Sequence, residues 1–303
     1  DQDELLRRAD AAMYEAKSAG RDMARFFSTA TDDRILARQT MEAQLRQALG
    51  RGEFSLHYQP RLCARTRRML GAEALLRWNS PVLGPVSPAE FIPVAEETGW
   101  IKPIGLWVLE EACQQWMQFQ SQGLFERKQL SVNLSAAQLA DPDLVGQLQL
   151  ILERTGLPAH ELELELTESH LMDNPNAAQQ QVSALKALGV HIAIDDFGTG
   201  YSSLAYLKRF EIDILKVDQS FVRDMLDDSA DAAIVHAVIA LGHTLGFKVV
   251  AEGVENLPTA QTLTALGCDE LQGYCFSRPL PVPEFLEWLR SHGATPQRRR
   301  TRP

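Results

Sequence analysis

The chain has 303 residues, 45% of them hydrophobic, and a net charge of −10. That length and apolar fraction suit one large domain or two modest ones with a full core, and the acidic balance excludes a general nucleic-acid-binding surface. No apolar stretch is long enough to span a bilayer, and no signal peptide is visible. Cys63, Cys113, Cys268 and Cys275 show neither CxxC spacing nor a zinc-like histidine, so they read as thiols of a reducing, cytoplasmic compartment.

The chain opens at Asp1 without Met and reads as a piece of something longer, compatible with a sensor or membrane anchor upstream. Leu5, Leu6, Ala9, Ala12, Met13 and Ala16 share one face of a predicted helix over 3–19, which Gly20 stops; 24–27 reads as a short strand. The pattern LLRRADAAMYEAKSAGR followed by a strand resembles the C-terminal end of a GGDEF (diguanylate cyclase) domain. The signature motif of that domain is absent, so the resemblance implies a remnant over 1–27 that synthesises nothing. A connecting helix over 31–49, with Ile35, Leu36, Met41, Leu45 and Leu49 as its apolar stripe, leads to a domain expected over 51–290.

From Gly52 onward strands and helices alternate. Strands are predicted at 54–59, 69–77, 130–133, 162–166, 190–194, 213–217, 248–251 and 270–272. Helices are predicted at 88–97, 103–120, within 142–155, and at 177–188, 230–245, 258–266 and 280–289. This repetition predicts an α/β fold, a TIM-like (β/α)8 barrel with a short N-terminal helical extension. A doubly wound open sheet is the alternative, disfavoured because no GxGxxG turn follows the first strand. Arg298, Arg299, Arg300 and Arg302 lie in a basic, solvated tail over 291–303.

The most informative stretch is Val190 to Tyr201, where a β-branched apolar run ends in Asp195 and Asp196 and then a glycine-punctuated loop. Two adjacent carboxylates repel each other unless a cation lies between them, and oxygen donors of this kind suit Mg²⁺ or Mn²⁺. Other predicted strands close on polar groups as well: Glu73, Asn133, Glu165 with Glu168, Lys216 with Asp218, Glu252 with Glu255, and Gln272. Each has an ordinary structural alternative. Asn133 could cap the helix near Ser135, Glu168 could be a first-turn acid, and Lys216 could pair at the surface. Their recurrence at the same end of successive strands favours a single pocket, in which two cations roughly 3.5–4 Å apart are the usual arrangement for phosphoester cleavage. Alternation in Glu161-Leu-Glu163-Leu-Glu165-Leu places the three Glu on one face. It makes Glu165 the better ligand and Glu163 its structural partner.

The segments YQP (58–60), EALLRW (73–78), SVNLS (131–135), ELTES (165–169), DDFGTGYSSL (195–204), LKVD (215–218), AEGVE (251–255) and QGYCFSRP (272–279) together resemble the EAL domain of bacterial cyclic di-GMP phosphodiesterases. The resemblance implies two Mg²⁺ or Mn²⁺ ions held by Glu73, Asn133, Glu165, Asp195, Asp196 and Glu252, and hydrolysis of cyclic di-GMP to linear pGpG. It implies that Lys216, in a cationic neighbourhood that lowers its pKa, orients or deprotonates the attacking water. Gln272 would hold a bound water or Lys216, and Glu168 a ligand or a loop. Arg77 would bind a phosphate, and Gln59, Leu76, Asp218, Tyr274, Phe276, Arg278 and Pro279 would line the nucleotide pocket. Phe197, Gly198, Thr199, Gly200 and Tyr201 would form a regulatory loop coupled to a homodimer interface. A catalytically silent receptor of the same fold and an enolase-like lyase, which also combines strand-end carboxylates with Mg²⁺ and lysine, are the competing readings. Intact ligands weigh against the first, and the adjacent Asp pair against the second.

Overall fold

The computed structural model describes residue 13, residues 29–198, residue 207 and residues 209–292. Apart from residue 13, the helix expected over 3–19 lies outside them, as do the strand over 24–27, Thr199 to Tyr201 of the loop, and the tail beyond 292. The chain divides into two compact units, Asp1–Phe54 with Trp78–Trp100, and Ser55–Arg77 with Ile101–Pro303. Residues 78–100, expected within the barrel domain, thus group with the N-terminal segment.

In the first unit, helix α1 (Thr29–Ala48) buries Leu45 and Ala48. The end of strand β2 (Met69–Ser80) forms a hairpin with β3 (Gly84–Val86), and helix α2 (Pro88–Thr98) follows. Pro88 opens α2, where its missing N–H costs nothing. The Phe91 ring packs 5.5 Å from that of Trp78 and 6.1 Å from that of Phe54, and the Trp78 indole N–H donates to Glu53 Oε2 at 2.9 Å.

The second unit is built on β1 (Phe54–Cys63), β2, β4 (Gln129–Asn133), β5 (Leu162–Thr167), β6 (His191–Phe197), β7 (Ile214–Val217), β8 (Lys248–Ala251) and β9 (Glu270–Leu271). Among the described residues these strands pair in the order β1-β9-β8-β7-β6-β5-β4-β2, and β2 pairs back with β1, closing an eight-stranded barrel. From β2 round to β9 the pairs are parallel. Helices α3 (Ile101–Ser121), α5 (Leu144–Thr155), α7 (Pro175–Ala187), α9 (Ser229–Leu245) and α10 (Leu257–Ala265) fill the crossovers. The shorter α4 (Ala136–Leu139), α6 (Glu168–Asp173) and α8 (Gln219–Asp224) follow strand ends.

Two elements differ from a regular barrel. Strand β1 runs antiparallel to β9, because residues 64–68 are too few to cross back over the sheet and can only turn a hairpin into β2. It also continues past Pro60, where the sequence pattern suggested an end. Pro60 falls between the segment paired with a final strand, β10 (Leu280–Pro281), and the segment paired with β9, so no bond on that edge is lost. The helix expected from Leu280 begins instead at Val282 (α11, Val282–His292). Pro281 biases Leu280 toward an extended backbone, and β10 pairs with His57 and Tyr58.

Strand starts are held by a repeated device. Asp213, just before β7, donates its N–H to Ile192 O at 3.0 Å while its carboxylate accepts from Ile192 N at 2.8 Å. Asp269, just before β9, does the same to Val249 at 3.1 and 2.9 Å. Lys186 Nζ lies 2.7 Å from both Asp213 oxygens. Burial alone would raise the Asp213 carboxyl, but hydrogen bonds from His191, Lys186 and the Ile192 amide hold it at about 2. A folded pKa below the unfolded value of about 3.9 gives stability that is present above pH ~4 and lost as pH falls through the folded pKa. Asp213→Asn is therefore expected to unfold at lower urea than the wild type at pH 7. The gap should close as the pH approaches 2; a gap independent of pH would remove this role.

Candidate active site

Lys216 on β7 is completely buried, and four carboxylates converge on its ammonium. Its Nζ lies 2.5 Å from Glu165 Oε2 (β5), 2.5 Å from Glu252 Oε1 (just after β8), 3.1 Å from Asp195 Oδ2 (β6) and 3.9 Å from Glu73 Oε2 (β2). Lys216 and Glu73 belong to strands on different sides of the closed sheet, so the contact runs through the barrel interior. Register sets the layer: Glu73 aligns with Ser131, Ser131 with Glu163, Asn133 with Glu165, and Lys216 with Val250.

Glu73 is held on both oxygens, by Asn133 Nδ2 at 2.6 Å and by Gln272 Nε2 at 2.6 Å. Asn133 does not cap the following helix; Ser135 does, in a capping box with Gln138. Gln272 was expected to hold a water or Lys216. Its amide N–H group donates to Glu73 and, at 3.1 Å, to Gln59 Oε1. Gln59 Nε2 in turn donates to the Ser277 carbonyl at 3.0 Å.

Asp195 and Asp196 sit at a break in the β6–β7 register between Ile194 and Phe197, with Asp196 at φ 54. This bulge breaks the strict alternation of a strand. Asp195 faces Lys216, while Asp196 hydrogen-bonds Asp218. Asp218 also caps α8 by accepting from Ser220 N at 2.8 Å. Glu168 opens α6 and accepts from Gly198 N at 3.3 Å, so it holds the start of the predicted loop. Glu252 is positioned by the next residue. Gly253 has φ +61, and a Cβ there would come 2.5 Å from that of Gln219, at the start of α8.

The charge state follows from these contacts. Burial alone would lower the Lys216 pKa, but Asp195, Glu165, Glu252 and Glu73 hold it well above its ordinary value. Among these four carboxylates the charged form of the lysine, which donates and orients, is the favoured one. Burial raises Glu252 to about 8 despite Lys216, and burial together with the Asp195 charge raises Asp196 to about 6. Burial and the Glu73 charge push Glu165 well above its ordinary value. Glu73 is lowered, because Lys216, Gln272 and Asn133 outweigh its burial.

Four carboxylates (Glu73, Glu165, Asp195 and Glu252) thus surround one ammonium, with Asp196 beside them on Asp218, which leaves four negative charges among these five acids and the lysine if all ionise. Among the described residues no group of three or more His, Cys, Asp or Glu side chains stands ready around one point for a metal ion; the Lys216 ammonium takes up the centre of this cluster. The donor chemistry nonetheless fits hard divalent cations, which prefer carboxylate and amide oxygens. Glu165 Oε1, buried and without a hydrogen-bond partner, is an oxygen of that kind.

Around the cluster, the half-buried Arg77 feels the charge of Glu73 and donates Nη1 to Leu76 O at 2.8 Å. Arg278 stacks over the exposed Tyr274 ring at 4.4 Å, and the Pro279 backbone hydrogen-bonds His57. Phe276 is placed against Arg67, 5.5 Å from its guanidinium carbon. The Arg67 head is anchored on Thr264 Oγ1 at 3.2 Å.

Sequence reasoning missed a second buried charge cluster. Arg61 of β1 forks onto Glu163, Ser131 Oγ donates to Glu163 Oε1 at 3.1 Å, and Glu270 lies beside Arg61. The available signal was strand alternation, which places Arg61 on the same face as Gln59.

The comparisons agree with this architecture. The EAL domain family matches residues 42–279, and the chain belongs to it. The "Bifunctional diguanylate cyclase/cyclic di-GMP phosphodiesterase MucR" of Pseudomonas aeruginosa is 46% identical over 283 residues, covering 93% of this chain and 41% of that protein. The "Cyclic di-GMP phosphodiesterase PdeR" of Escherichia coli K12 is 37% identical, over 96% of this chain and 44% of that protein. The chain therefore spans less than half the length of these curated relatives. The solved structure "PaMucR Phosphodiesterase, c-di-GMP complex" superposes with a TM-score of 0.78 at 47% identity, covering 81% of this chain and 99% of that one.

If the cluster takes up divalent cations, protons must leave. With Glu252 near 8 and Asp196 near 6, a share of the carboxyls is protonated at neutral pH. Titrating Mg²⁺ into the protein at pH ~7 is expected to release protons, seen as a calorimetric heat that changes with the ionisation enthalpy of the buffer. Binding heats identical in all buffers would show the carboxylates already ionised.

Proposed function

We propose that this chain hydrolyses one phosphodiester bond of cyclic di-GMP to linear 5′-pGpG, using two Mg²⁺ or Mn²⁺ ions. The observation that carries this reading is the ring of four carboxylates around Lys216, with Asp196 beside them, in an EAL-family barrel. The relatives named as cyclic di-GMP phosphodiesterases, and the MucR complex with c-di-GMP, support it.

Glu73, Asn133, Glu165, Asp195, Asp196 and Glu252 are the residues that would hold the cations. Bound there, divalent ions supply charge stabilisation at the phosphoryl oxygens and a more acidic water. The chain's own residues do the positioning. Asn133 and Gln272 fix both oxygens of Glu73, and Lys216 fixes Glu165 and Glu252. The Lys216 ammonium also orients the attacking water by donating to its oxygen. Arg77 presents a forked guanidinium to a substrate phosphate. Gln59, Leu76, Asp218, Tyr274, Phe276, Arg278 and Pro279 line the nucleotide pocket; Asp218 also holds Asp196, and Phe276 also packs against Arg67. Water attacks phosphorus opposite the 3′ oxygen, the P–O3′ bond breaks, and the new oxygen remains on the 5′-phosphate; one proton of the water ends on the departing 3′ oxygen as a hydroxyl and the other passes to solvent.

The same proposal takes residues 1–27 as the remnant of a GGDEF-like domain, 28–50 as a connecting helix and 51–290 as the phosphodiesterase region. It takes the loop from Phe197 to Tyr201, tethered by Glu168, as the coupling to a homodimer interface. Four free cysteines support a reducing, cytoplasmic compartment, and among the described residues no helix is long and apolar enough to cross a membrane.

Incubation with cyclic di-GMP and Mg²⁺ or Mn²⁺, followed by chromatography, is expected to yield pGpG, and EDTA to prevent it. Glu73→Ala should abolish turnover. Saturable binding without product would make the chain a receptor; neither binding nor product would overturn the proposal.

A further inference from the structure

Arg61 and Lys216 are both completely buried, yet the proposed chemistry gives Arg61 no task. Arg61 comes from β1, the strand that runs against its neighbour β9, and it reaches across the barrel to β5. Its fork is taken by Glu163: Nη2 lies 2.8 Å from Oε2, and Nη1 bonds Oε1. The same Nη1 is 3.7 Å from Glu165 Oε1, and Nε is 3.5 Å from Glu270 Oε2.

Glu165 therefore lies between two cations. Lys216 holds its Oε2 at 2.5 Å, and Arg61 faces its Oε1, the buried oxygen without a hydrogen-bond partner. The terminal torsion of a glutamate is broad, so packing alone fixes its carboxylate plane poorly. A guanidinium locked bidentately on Glu163 is a fixed charge that a lysine ammonium would not reproduce.

We propose that Arg61 is a positioning residue: the Arg61–Glu163 fork fixes where Glu165 Oε1 stands and thereby sets the affinity of the barrel for its divalent cation. This inference rests on the reading of Glu165 as a cation ligand. The plain alternative is that Arg61 only neutralises buried acids. In that case, removing the acids together with the arginine would leave cation binding intact.

The test uses the full chain, with Mn²⁺ as the probe and free Mn²⁺ read by electron paramagnetic resonance. Thermal unfolding and the KM and kcat for cyclic di-GMP are measured alongside. The variants are Arg61→Lys and the combined Arg61→Met/Glu163→Leu/Glu270→Gln, which removes the charges together. Both are expected to weaken Mn²⁺ binding, by about 10-fold for Arg61→Lys and up to about 100-fold for the combined variant. The loss of turnover is expected in kcat, with KM nearly unchanged. A combined variant that unfolds cooperatively and binds Mn²⁺ as the wild type does would overturn the proposal. If the combined variant does not fold, Arg61→Lys decides, and wild-type Mn²⁺ affinity there overturns it too. Wild-type protein that binds no Mn²⁺ would overturn the cation-site reading itself, and this inference with it.

Discussion

The site depends on one buried ammonium. A lysine taken wholly out of water loses several kcal/mol of hydration, and a single counter-charge rarely offsets that. Lys216 has four. Even Glu73, the farthest at 3.9 Å, is worth roughly 4 kcal/mol in an effective dielectric of about 20. The reverse also holds. Four acids brought from four strands to one point would repel strongly without the ammonium, so lysine and carboxylates make each other tolerable. The strand ends of the barrel supply the convergence, and the ammonium makes it affordable.

Below that layer the barrel interior is charged as well. A common way to fill a small barrel is with branched apolar side chains; here Arg61, Glu163, Ser131 and Glu270 occupy part of it. Ion pairs hold their members by direction as well as by charge, which suits a floor beneath a site that must present oxygens at fixed places. The apolar work is done on the other side of the strands: Leu162, Leu164 and Leu166 alternate with Glu163 and Glu165 and are fully buried.

Much of this was legible in the sequence. Asn133, Asp195, Glu252 and Gln272 each close an apolar run, Glu73 and Glu165 sit within theirs, and a barrel gathers such residues whatever the details of its helices. What was not legible depended on partners distant in sequence. Arg61 follows Pro60, which suggested a strand end, and its partner Glu163 lies on a strand reached only after the barrel closes. The contacts of Gln272 with Glu73 and Gln59 were not legible either, because nothing local marks those groups as within its reach. The strand at Leu280 and Pro281 was absorbed into the following helix, since two residues carry no periodicity.

The direction of β1 has a consequence for assembly. That strand is among the first of the barrel to leave the ribosome, yet its pairs on one edge are Leu271 and Glu270, then Leu280 and Pro281, some two hundred residues later. Until those arrive, β1 can pair only through its hairpin with β2, and the other edge of the growing sheet stays open. Closure waits on strongly non-local contacts, which folds of high contact order form slowly. During synthesis Arg61 would therefore spend that interval on an unsealed edge, its charge solvated. Only the final strands shut water out of the barrel and turn a row of ordinary polar residues into a low-dielectric site.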